Sequence, residues 1–167
     1  MAAEHVQTRL RGAAARSGLQ ARAAARVRSF GGRPPSRFRC ADPSGTIRVT
    51  VGAGDRVIDV ELDPGWRDRF GPEYFATALL AAYREALHQS RYVRGLVLLA
   101  GGEPAASGHP AGSDAGDTVV PSPAGYLRLV RRGRAIRTVH VDTRRICSAV
   151  PSELCADVLA VFRRALG

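Results

Sequence analysis

The chain has no lysine. All 25 of its basic residues are arginine, set against 15 acids, for a formal net charge of +10. A coding bias towards GC-rich codons explains why one base replaces the other. It does not explain a surplus of ten. A field of that size favours nucleic acid, an acidic protein or an anionic membrane as partner. Cysteine is scarce: Cys40, Cys147 and Cys155 form no C-x-x-C pair, and the odd number leaves one unpaired. That argues against a secreted disulfide framework and for a reducing cytoplasm. Long apolar runs are missing; the best, Gly95 to Gly102, is far too short to span a bilayer. The N-terminus lacks the apolar core of a signal peptide, although its arginine-rich, alanine-rich, acid-poor character also fits an organellar transit peptide. His5, His88, His109 and His140 show no H-E-x-x-H spacing and no clustering with the cysteines, so neither a metal nor a cofactor is expected. Gly52-Ala53-Gly54 leads into a strand rather than a helix, so it is no phosphate-cradling loop. With no catalytic constellation in view, the chain reads as a binding protein and not an enzyme.

What is present is unevenly spread. Residues 1–41 hold nine arginines and one acid; 42–100 hold seven and eight; 101–167 hold nine and six. The basic surplus is concentrated at the N-terminal end. At 167 residues and 45% apolar composition the chain suits one ordinary domain or two small ones.

The chain also contains one stretch twice. Thr46-Ile47-Arg48-Val49-Thr50-Val51 falls on Tyr126-Leu127-Arg128-Leu129-Val130-Arg131. Val57 to Asp63 falls on Ile136 to Asp142, and Pro72 to Leu87 falls on Pro151 to Leu166 without a gap. In that last block Pro72/Pro151, Leu80/Leu159, Ala81/Ala160, Arg84/Arg163, Ala86/Ala165 and Leu87/Leu166 coincide. The copies differ by one residue, in the turn Gly52-Ala53-Gly54-Asp55 against Arg132-Gly133-Arg134, where a deletion costs least. Two copies make a duplicated domain rather than a solenoid.

Taken in order, residues 4–30 read as a helix. Val6, Leu10, Ala13, Ala14, Ala21 and Ala24 gather on one side, opposite Arg9, Arg11, Arg16, Arg22 and Arg26. Gly31 to Pro35 ends it. Strands are expected at 37–42, 46–51 and 56–62, the last with Ile58, Val60 and Leu62 inward. Such a meander needs a helix on its apolar face. Pro72 opens that helix, with Phe75, Leu79, Leu80, Tyr83 and Leu87 inward and an end near Ser90. Residues 91–100 are ambiguous between strand and helical continuation. Trp66 reads as part of an exposed loop. Residues 101–116, rich in Gly, Ala, Ser and Pro, read as a flexible linker. The second copy repeats the plan, except that Arg137 falls where Ile58 points inward. Asp63 and Asp142 read as Asx turns or helix-entry caps. The expected fold is therefore α+β: a basic N-terminal helix (1–36), a first βββα unit (37–100), a linker (101–116) and a second βββα unit (117–167).

This order resembles the YbaB/EbfC family of bacterial nucleoid-associated proteins. The resemblance is carried by Gly45 to Val51, by Val57-Ile58-Asp59-Val60-Glu61-Leu62-Asp63-Pro64, and by the helix from Pro72. It implies double-stranded DNA as partner, bound with little sequence preference in a cytoplasmic nucleoid. It also implies that the two units pack as a pseudo-dimer within one chain, or that the chain forms a homodimer to complete its helix contacts. The candidate DNA-binding residues are Arg9, Arg11, Arg16, Arg22 and Arg26 on the helix and Arg131, Arg132 and Arg134 in the second hairpin. Guanidinium forks suit phosphate and give affinity without base readout. The same residues also suit a solvated helix face and a charged turn that protects an edge strand. No membrane partner is expected, because the helix stripe lacks the bulk that insertion requires. The alternative function is a protein-interaction or scaffold module with an acidic partner.

Overall fold

A computed structural model describes residues 17–31, 33–101 and 116–167. The start of the expected 4–30 helix, with Arg9, Arg11 and Arg16, and residues 102–115 of the expected linker lie outside these. Contacts divide the described chain into two compact units. One comprises residues 37–90 and 116–167; the other comprises the described residues among 17–36 and 91–101.

In the larger unit, β1 (Phe38–Ala41), β2 (Ile47–Val51) and β3 (Val57–Leu62) form an antiparallel meander, and β4 (Asp117–Pro121), β5 (Leu127–Arg132) and β6 (Ala135–Val141) form a second. The two meanders share several backbone bonds at equivalent positions. The turn before β2 is closed by Gly45 N donating to Asp42 O, and the turn before β5 by Gly125 N donating to Ser122 O. Gly45 and Gly125 sit at φ +73° and +75°, a conformation that an L side chain adopts only with strain. Asp63 N donates to Thr46 O and Asp142 N to Tyr126 O, closing the far ends of the two hairpins.

Both meanders carry a bulge at the same place. Val57 pairs with Val51 and Asp59 with Thr50, which leaves Ile58 without a partner across the ladder. Ile136 pairs with Arg131 and Thr138 with Val130, which leaves Arg137 without one. An extra residue interrupts the strict alternation of faces. The buried residues of these strands are consequently three apart, Val57 and Val60 in one and Ile136 and Val139 in the other. Of the expected inward run of Ile58, Val60 and Leu62, Val60 is buried and Leu62 packs against the core, and only Ile58 is corrected. Ile58 is half-buried and folds over Gly52, its Cγ2 3.1 Å from where a β-carbon on that glycine would stand. Arg137 occupies the equivalent bulge position and is exposed, so the mismatch between the copies disappears.

The expected fold, an N-terminal helix followed by two tandem βββα units, is overturned. The chain is α+β, but its two three-stranded sheets are separated and followed by several helices. Between the sheets come α2 (Trp66–Phe70), a 3-10 turn (Pro72–Tyr74) and α3 (Phe75–Leu99). After β6 come α4 (Thr143–Ser148) and α5 (Pro151–Leu166). Three physical differences separate this from the simple repeat. First, α3 does not stop near Ser90 but runs on to Leu99, and its last turns belong to the smaller unit. Second, α2 puts Trp66, expected in an exposed loop, wholly inside the core, its ring 5.1 Å from that of Phe75 and 5.8 Å from that of Phe70. Third, a sheet is not covered only by the helix that follows it. The C-terminal helix α5 lies along β3 of the first sheet as well as touching β4 and β5. From α3, Arg84 Nη2 donates to the Arg137 carbonyl of β6, at 3.1 Å.

One apolar cluster therefore serves both sheets. It joins Ile47, Val49 and Val51 of β2, Leu127 and Leu129 of β5, and the inner faces of α3 and α5. At its middle Tyr83 meets Phe162, ring centroids 4.9 Å apart. These two residues occupy equivalent positions in the repeat. Arg67 adds a polar clasp, donating to the carbonyls of Ile146 and Ala149 at the end of α4, where the negative end of the helix attracts a cation.

Candidate nucleic-acid interface

In the smaller unit the described helix is α1, residues 17–28. Alanine supplies its propensity. It ends as Gly31 takes φ +73° and its amide donates to the Arg28 carbonyl, a left-handed glycine stop. Ala23 is buried, and Ala24, Val27 and Phe30 are half-buried. The buried stripe is thus centred on Ala23 and Val27, and Ala21, expected on the apolar side, is exposed. Arg22, Arg26 and Arg28 are exposed. Arg22 and Arg26 are four residues apart and so share a face, roughly 6 Å apart along the axis. The Arg26 guanidinium lies 5.6 Å from the centre of the Phe30 ring, which steadies it without consuming its hydrogen-bond donors.

The end of α3 in the same unit adds Arg91 and Arg94, and the segment after α1 adds Arg33. The described residues of this unit therefore hold six arginines, Arg22, Arg26, Arg28, Arg33, Arg91 and Arg94, and no aspartate or glutamate. Sequence reasoning singled out two of the six. Arg28 and Arg33 stood off the assigned helix face, and Arg91 and Arg94 were obscured by the ambiguity of 91–100. The signal that would have found them is the absence of any acid in 17–36 and 91–101.

The hairpin arginines are differently placed. The structure brings Arg131, Arg132 and Arg134 together at the β5–β6 turn, but each has a local bond. Arg132 Nε pairs with Asp117 Oδ1 at 2.7 Å. Arg134 donates to the carbonyl of Leu166 at the end of α5, at 3.1 Å. Arg131 Nη1 donates to Gly133 O at 3.2 Å, while its Nε is buried without a partner.

The remaining sequence candidates have structural employment. Asp63 Oδ1 accepts from Gly65 N, and Asp142 Oδ1 accepts from Arg144 N and Arg145 N at the start of α4. Asp42 is buried and accepts from the amides of Ser44, Thr46 and Ile47 and from the Ser44 hydroxyl. Burial alone would raise its pKa, but those hydrogen bonds outweigh burial and hold it below the usual carboxylate value. In the second copy Ser122 replaces Asp42, and the matching amide, Ala124 N, donates instead to Asp157 Oδ1 from α5, at 2.7 Å. Burial pushes the thiols of Cys40 and Cys155 up, with Glu85 adding to the effect at Cys40 and Asp59 at Cys155, so neither is an activated thiolate. Cys147 is exposed, and all three cysteines are free. Among the described residues no group of His, Cys, Asp and Glu is arranged to hold a metal ion, and no helix is long and apolar enough to cross a membrane.

No protein-family model, curated protein or solved structure matches the chain.

Proposed function

We propose that the protein binds double-stranded DNA through its phosphate backbone, with little sequence preference, as the resemblance to YbaB/EbfC proteins implies. One observation carries the reading: the smaller unit gathers six arginines with no carboxylate among its described residues. Arg22, Arg26 and Arg28 are exposed on the one helix α1 of that unit. An excess of arginine concentrates an anionic polymer and releases its counterions. Arg22 and Arg26 form the centre of the proposed contact, with Arg9, Arg11 and Arg16 ahead of them in sequence. Arg131, Arg132 and Arg134 supply a secondary point, weakened by their local bonds. We read the two repeats as an intrachain pseudo-dimer, because the equivalent residues Tyr83 and Phe162 meet each other, as residues beside a two-fold axis do. Mobility shift on two unrelated duplexes across a salt series tests the function. Binding to both with similar affinity, weakening steeply with salt, supports it; no binding at low salt removes it.

A second reading, a module for an acidic protein partner, is favoured by the exposure of Leu19, Tyr92, Leu98 and Leu99 in the same unit. Apolar side chains rimmed by charge suit a protein surface. Pull-down with and without nuclease separates the two, since a partner retained after nuclease treatment supports the second.

A further inference from the structure

Each three-stranded sheet has an open side. On their outer flanks β3 lies along α5, and β6 receives Arg84 from α3. Among the described residues β1 and β4 pair with a strand on one side only. The register fixes what β4 offers on the other. Ser122 N donates to Leu127 O, so that pair lies at a bonded rung of the ladder. Alternation then makes Val120 and Thr118 the residues of β4 bonded to β5. The amides and carbonyls of Asp117 and Val119, and the carbonyl of Pro121, therefore point away from β5 to the open side.

The repeat lets the two open edges be compared. Asp42 N donates to Ile47 O as Ser122 N does to Leu127 O, which makes Arg39 and Ala41 of β1 the counterparts of Val119 and Pro121. Arg39 sets a charge on its edge and pairs with Glu61, an ordinary protection against a further strand. In the same place β4 has Val119, 56% exposed. On the outer face of the sheet Val119 is level with Val130 and Thr138. That row of β-branched side chains stops at the open edge.

We propose that β4 pairs antiparallel with β4 of a second copy, about a two-fold axis at Val119, joining two three-stranded sheets into one of six strands. The strand is complementary to itself in that register. Val119 stands opposite its own copy, and the two exchange backbone bonds. Each Asp117 amide meets the other copy's Pro121 carbonyl, so proline's missing N–H costs one bond at each end and no more. The β-branched row runs on through both copies, a favourable cross-strand arrangement. Asp117 stays with Arg132 Nε, at 2.7 Å, away from its own copy. An axis at Thr118 would set Asp117 against Val119, and an axis at Asp117 would set two carboxylates opposite each other. The contact uses each β4 edge once and so closes as a dimer rather than a filament. One edge contact is small against the roughly 1,000 Å² of a lasting interface, so the dimer dissociates on dilution. The surface belongs to the larger unit and is independent of the nucleic-acid reading.

Sedimentation equilibrium of the full chain tests this over a wide concentration range, at about 0.15 M salt to screen repulsion between the net charges. The wild type moves from 17.8 kDa towards twice that mass as concentration rises. Val119→Pro removes an amide that the ladder to β5 does not use, and Val119→Lys sets a charge in the contact, as Arg39 does on β1. Both variants stay at the monomer mass throughout. Ala41→Lys, on the open edge of the first sheet, self-associates like the wild type. Circular dichroism matching the wild type shows that each variant is folded, and Val119→Lys decides the matter if proline disturbs the strand. The proposal is overturned if the wild type stays monomeric at every concentration, if folded Val119→Lys associates as the wild type does, or if Ala41→Lys abolishes association.

Discussion

At the residue scale the clearest lesson is how two copies of one turn keep the same amide satisfied by different means. Ser44 N donates to Asp42 Oδ2 within the turn, whereas Ala124 N donates to Asp157 Oδ1 from a distant helix. Ala124 is exposed and its bond to Asp157 only part-buried, so losing that charged acceptor costs about 1 kcal/mol. Asp157→Ala is therefore expected to destabilise by about that much in urea unfolding. Adding Ser122→Asp restores part of the loss, because it recreates the arrangement of the first copy; a double variant no more stable than Asp157→Ala alone would contradict this. Asp42 gives a pH prediction. Its folded pKa lies below its unfolded value near 4, so its ionised form stabilises the fold above that value and the benefit fades as pH falls through the folded pKa. Asp42→Asn thus lowers stability by about 1–3 kcal/mol at neutral pH, and the gap to the wild type narrows as the solution is acidified below about pH 4. A gap that stays constant or widens in acid would refute the assignment.

At the scale of elements, Tyr83 and Phe162 hold α3 and α5 together at the centre of the shared core. Phe162→Ala removes a fully buried ring and is expected to cost about 3–5 kcal/mol. A double-mutant cycle with Tyr83→Leu should show a coupling of about 0.5–1.5 kcal/mol; additive losses would mean the rings do not support each other. Much at this scale was legible in the sequence. The two meanders, their glycine turns, the Asx turn at Asp63 and the helix cap at Asp142 follow from alternation and turn chemistry, and the repeated stretch doubled the signal. Other features were not legible, for identifiable reasons. A bulge at Ile58 and Arg137 leaves no mark in composition, because the inserted residue is of a different type in each copy. Trp66 sits among Asp63, Pro64 and Gly65, which announce a turn, and nothing local says that the five-residue helix after it turns inward. Helix α3 passes Ser90 without a stop signal, and Gly95 does not break it. Periodicity identifies the apolar face of α5 but not the sheet that receives it.

At the scale of the whole molecule, the exchange of helix contacts between the sheets makes the larger unit interdependent. Since α5 lies along β3, fragments 1–108 and 109–167 made separately should fold poorly alone and form a one-to-one complex when mixed, as seen by circular dichroism and light scattering. Cooperative folding of 109–167 alone would contradict the shared core. The charge distribution was legible only in outline. Sequence composition located the surplus at the N-terminal end, but only the continuation of α3 brought Arg91 and Arg94 into the same unit as Arg22 and Arg26, whose described residues include no acid. The most direct measurement of the functional claim is the salt dependence of duplex binding, with the wild type compared with Arg22→Gln/Arg26→Gln. For roughly six neutralised phosphates the account predicts a slope of log affinity against log salt of about −5, reduced in magnitude by about 2 in the variant, on any sequence. A wild-type slope near zero, or one that the variant leaves unchanged, would contradict it.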